Sequence, residues 1–67
     1  MSTTTGVDPI TVKILAAVAK GRAMSEVARD VGLSSSTVRR RLAEVRAAWE
    51  VPTTMQAVVL AVRSGYI

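Results

Sequence analysis

The chain has 67 residues, 9 Lys and Arg against 5 Asp and Glu, and neither His nor Cys. A disulfide framework, a zinc–thiolate site and histidine-based acid–base chemistry are therefore excluded. One small domain is expected, and a chain this short buries only about 60% of its unfolded surface, so stability must come from aliphatic packing, which a partner subunit could extend.

Apolar residues make up 49%, yet Phe is absent and there is one Trp and one Tyr. The core must be built from Val, Leu, Ile, Ala and Met. The net charge of +4 favours a polyanionic partner. The apolar run 57–62 is far too short to span a bilayer. Residues 1–6 lack the basic and apolar regions of a secretory signal, which points to the cytoplasm. They read as a solvated tail before a single folded domain over 7–67. The tail holds no Arg or Lys, which a minor-groove arm normally carries. Met1 followed by this tail reads as the start of a complete small protein. No phosphate-cradling Gly-rich loop or carboxylate pair is present, so no enzyme and no cofactor are expected.

Four helices are expected, in an all-α fold. The first starts at Asp8-Pro9, an N-cap followed by a proline suited to the first helical position. Ile10, Ile14, Leu15 and Val18 give it an apolar face, and Gly21 ends it. The second runs from about Met24 to Val31, with Val27, Ala28 and Val31 inward. Gly32 then permits a sharp left-handed reversal, and Leu33 plugs the gap between two helices.

Ser34 is the N-cap candidate for a third helix reaching about Trp49. Val38, Leu42, Val45 and Trp49 fall on one stripe at roughly 100° per residue, the expected core face. Ser36, Arg40, Ala43 and Ala47 lie opposite; Arg39 and Arg46 flank one side, and Thr37, Arg41 and Glu44 the other. Pro52 separates a fourth helix, for which Thr53 and Gln56 fit a capping box. Residues 55–62 are apolar nearly all round, so this helix must be covered on more than one side. Met55, Val58, Val59 and Val62 are the expected dimer face. Tyr66 and Ile67 are expected to fold back onto the core.

Helix, Gly turn and a second helix with three arginines near its start form a helix-turn-helix pattern. In that motif the second helix enters the major groove, its N-terminal residues at the base edges. An Arg there can grip guanine through two hydrogen bonds. Ser35, Ser36 and Thr37 place hydroxyls at the helix start, where backbone N–H groups and the positive dipole end also meet a phosphate. Small Ala43 and Ala47 allow close approach of the backbone. The bland alternative is a solvated face with an ordinary Arg40–Glu44 pair.

From Val7 to Ile67 the chain resembles the LuxR/GerE-type DNA-binding domain of bacterial transcription regulators, without a gap. The residues that carry the resemblance are Pro9, Leu15, Ala19, Gly21, Glu26-Val27-Ala28, Val31-Gly32-Leu33-Ser34, Thr37-Val38-Arg39, Leu42, Val45, Val51, Ala57-Val58 and Gly65-Tyr66-Ile67. The resemblance implies four helices, the third reading DNA and the fourth joining two subunits. It implies base contacts at Arg39, Arg40 and the position of Ala43, and phosphate contacts near Met24, Ser25, Thr37 and Arg46. It implies a stand-alone member, since no sensor domain fits in this length, acting as a homodimer on double-stranded DNA. Arg41 is expected at the DNA backbone or at a partner.

The chain departs from the family pattern in four places. Ile10-Thr11-Val12 replaces a charged first turn, Ala43 a polar residue and Trp49-Glu50 a Leu-Gly pair; a basic residue common near Thr54 is missing. The alternative function is a protein–protein module on the same scaffold, with the fourth helix and the Ile10–Val12 turn docking a larger regulator or a polymerase subunit.

Overall fold

The computed structural model describes residues 8–67. The expected tail and Val7 lie outside them. The described chain forms four helices and no strand: α1 (Pro9–Ala19), α2 (Met24–Val31), α3 (Ser35–Trp49) and α4 (Thr54–Arg63).

Each helix start follows from a local hydrogen bond. The Asp8 carboxylate accepts from the Thr11 N–H at 2.8 Å and caps α1. The Ser34 hydroxyl accepts from the Thr37 N–H at 3.2 Å and caps α3. Thr53 accepts from the Gln56 N–H at 3.1 Å and caps α4. The expected capping box at α4 takes another form: the Thr53 hydroxyl donates to Gln56 Oε1 at 3.0 Å, holding both side chains outside the helix. At α2 the N-cap is Ala23, which has no side-chain acceptor. Glu26 compensates by reaching back to accept from the Ala23 N–H at 3.0 Å.

Between α2 and α3 the chain reverses at Gly32, whose φ of 73° is left-handed. The Leu33 N–H returns to the Ala28 carbonyl at 3.0 Å, and the Leu33 side chain packs half-buried on the core, as the plug reading requires. The α3–α4 junction is less relaxed. Its left-handed residue is Glu50, with φ 56°, where an L side chain crowds the backbone.

The core holds Ile14, Leu15, Val27, Ala28, Val38, Leu42, Val45, Ala57, Val58 and Ala61. α1 and α3 touch each other and both remaining helices, whereas α2 and α4 do not meet. The DNA-reading candidate α3 is thus braced from three sides along its Val38–Leu42–Val45 stripe. Two expectations shift. On α1 the buried flank is Thr11, not Ile10, which stands at the surface. Trp49 sits at the rim of the core and stacks on Tyr66, with ring centroids 5.7 Å apart and 22° between planes.

Candidate nucleic-acid interface

Packing its apolar stripe inward turns the opposite side of α3 to solvent. Ser36, Arg39, Arg40, Ala43, Glu44 and Ala47 are all exposed. Arg39 and Arg40 therefore present two guanidinium groups in the first two turns, beside a stretch left bare by Ala43 and Ala47. Arg40 Nε lies 4.0 Å from a Glu44 carboxylate oxygen, and both side chains are about two-thirds exposed (67% and 68%). That pair is open to water and contributes only a few tenths of a kcal/mol to the helix, about the worth of an i,i+4 ion pair.

The start of α3 carries a hydroxyl cluster. Besides capping the helix, the Ser34 hydroxyl donates to Thr37 Oγ1 at 2.9 Å and lies 3.2 Å from Ser36 Oγ. The backbone N–H groups of Ser35 and Ser36 precede any carbonyl they could reach within the helix. Donors, hydroxyls and the positive dipole end thus gather where an anion is welcome.

Several sequence-derived candidates have other occupations. Arg41 has a partner within the fold: its Nη1 donates to Asp8 Oδ2 at 2.8 Å and ties α3 to the start of α1. Its Nε is buried and has no hydrogen-bond partner among the described residues. The Thr11 N–H bond and then the Arg41 guanidinium stabilise the Asp8 carboxylate, holding its pKa at about 2 instead of 3.8. Arg46 donates from Nη1 to Thr54 Oγ1 at 2.7 Å and links α3 to α4. Thr54, noted for lacking a basic residue, is thus an acceptor for an arginine that the chain does have. Met24 packs its side chain on the core, leaving only its backbone for a phosphate, while Ser25 remains exposed.

Arg29, an exposed cation of α2, was not among the expected contacts. Arg29 follows Ser25 by four residues on the outer side of α2. The i,i+4 spacing was the available signal. Arg22 and Asp30, by contrast, close an ion pair at 2.7 Å between the α1–α2 turn and the last turn of α2.

The expected dimer face resolves into two groups. Met55, Val59 and Val62 are exposed at 63%, 46% and 55%. Val58 is buried at 5% exposure and belongs to the core, so it is no interface residue. The helical period explains the division: 55, 59 and 62 share one flank of α4, whereas 57, 58 and 61 face inward.

No protein-family model, no curated protein and no solved structure matches the chain. Among the described residues no helix is long and apolar enough to cross a membrane.

Proposed function

We propose that the chain is a sequence-specific regulator of bacterial transcription, binding double-stranded DNA as a homodimer in the cytoplasm. The observation that carries this reading is the outward face of α3. Arg39 and Arg40 stand free of the core beside Ala43 and Ala47, next to a hydroxyl-rich helix start. An α-helix fits the major groove, and arginine there reads guanine O6 and N7. Ser25, Ser36 and Arg29 would flank the phosphates, which position the protein without specifying sequence. The LuxR/GerE resemblance stated above supports the same placement of Arg39, Arg40 and Ala43. Exposed Met55, Val59 and Val62 would join two copies and set the spacing of two half-sites.

Selection of bound duplexes from a random pool tests the proposal. A two-part site, bound with an affinity that falls as salt rises, is expected. Absence of enrichment at low salt would overturn it.

A second reading rests on a different observation. An apolar groove of about 500 Å³ runs between α1 and the end of α4. It is lined by Val12, Ala16, Ala19, Val62, Tyr66 and Ile67, with Lys13 and Lys20 at its edge. This groove suits a protein–protein module that docks another transcription protein. Co-purification of a partner together with no DNA binding would favour it.

A further inference from the structure

We propose that Arg40 and Glu44 form one exchange unit that hides the Arg40 charge from non-cognate DNA and separates over a G·C pair. The inference rests on the DNA-binding reading and concerns how the same face discriminates.

Three observations lead to it. Glu44 is the acidic residue on the outward face of α3, one turn beyond Arg40 and 4.0 Å from its guanidinium. Both side chains are largely exposed, so the pair does not lock the helix or close a core contact. Ala43 and Ala47 leave no bulk between this pair and an approaching surface. A carboxylate there is unfavourable for any phosphate-seeking protein, because it cancels the charge beside it. Its position needs a reason that plain affinity does not supply.

The chemistry of base edges offers one. Off its site, Arg40 can keep Glu44 as a partner, and DNA meets a pair with no net charge. Over guanine, O6 and N7 offer the guanidinium two acceptors in place of one carboxylate. The released Glu44 then finds the cytosine N4 amino group as donor, so neither charge is left unpaired. Over A·T the adenine N6 amino group can still serve the carboxylate, but the guanidinium meets a single acceptor on either base, adenine N7 or thymine O4, and loses its two-acceptor grip. The exchange is therefore complete on G·C and only partial on A·T. Non-specific binding is suppressed by the same pair that reads the site.

The test compares wild type, E44Q, R40A and the double variant. Fluorescence anisotropy is measured on the selected duplex and on a random duplex of equal length, across a salt series. E44Q should bind random DNA several-fold more tightly and steepen its log–log salt dependence by about 0.9, one added phosphate contact. The ratio of selected to random affinity should fall roughly tenfold, the scale of one base contact. In the R40A background, E44Q should leave the random-DNA slope unchanged. If E44Q strengthens both duplexes equally, or acts alike without Arg40, Glu44 only repels phosphates and the exchange is overturned. If wild type binds neither duplex at low salt, the DNA-binding reading fails and the exchange fails with it.

Discussion

Asp8 and Arg41, 33 positions apart in sequence, are joined at 2.8 Å by the carboxylate that also caps α1. One oxygen satisfies the first turn of α1, and the other fixes a guanidinium of α3. The helix expected to read DNA is thereby anchored to the first helix through an arginine that looked like a DNA contact. The two roles of Asp8 make it a sensitive point in an otherwise aliphatic fold.

Acid should weaken the fold through this carboxylate. Its folded pKa, about 2, lies below the ordinary 3.8. A depressed carboxylate contributes stability above the unfolded pKa and loses it as pH falls through the folded value. Thermal melts followed by circular dichroism should show a loss between about pH 4 and pH 2. Asp8→Ala should cost about 1 kcal/mol at neutral pH, the worth of an N-cap, since a half-exposed ion pair adds little. That corresponds to roughly 4–8 °C in Tm for a domain of this size. A variant that melts like the wild type at both pH 7 and pH 2 would rule this out.

Arg40 and Arg41 should part company. Arg40→Ala should cost about 1–3 kcal/mol on the selected site and relax preference at one base pair, with the melting temperature nearly unchanged. Arg41→Ala should lower the melting temperature and alter base preference little, because its partner is Asp8. Equal loss on selected and random DNA for Arg40→Ala would make that residue a phosphate clamp.

The left-handed Glu50 is a place to gain stability. An L residue in that conformation costs about 1–2 kcal/mol, part of which glycine forfeits through its freer unfolded chain. Glu50→Gly should therefore stabilise by roughly 0.5–1 kcal/mol, with no open steric demand from the junction. A lower urea midpoint than the wild type would show that Glu50 makes a compensating contact.

The α4 flank is tested by two neighbouring valines. Val59→Asp should stay folded and abolish self-association in sedimentation at high micromolar concentration. Val58→Asp should unfold the chain, since it places an unpaired carboxylate in the core. If Val59→Asp associates as the wild type does, Met55, Val59 and Val62 do not form the subunit contact.

Much of the fold was legible in the chain because caps and reversals act locally. Asp8, Ser34, Thr53 and Gly32 each use a bond or a dihedral angle within a few residues. Facing was harder to read. Ile10 and Thr11 both fit a helical stripe with Ile14, and only the packed partners decide which is covered. Val58 and Val59 posed the same problem on α4, where nearly every residue is apolar. The arginine run was legible as a cluster, but the separation of Arg41 from Arg39 and Arg40 was not. Arg41 finds Asp8 only after the chain has folded, and Arg46 finds Thr54 across the next turn. Such long-range pairs leave no periodic trace in sequence.

Trp49 and Tyr66 are the only aromatic residues of the chain, and their rings stack. All intrinsic ultraviolet fluorescence therefore originates at one spot, where the end of α3 meets the C-terminal segment. Water reaches the Trp49 ring as soon as that segment lifts away, shifting its emission even while the helices persist. The protein thus carries a built-in optical sensor for the detachment of its last segment, readable without any label.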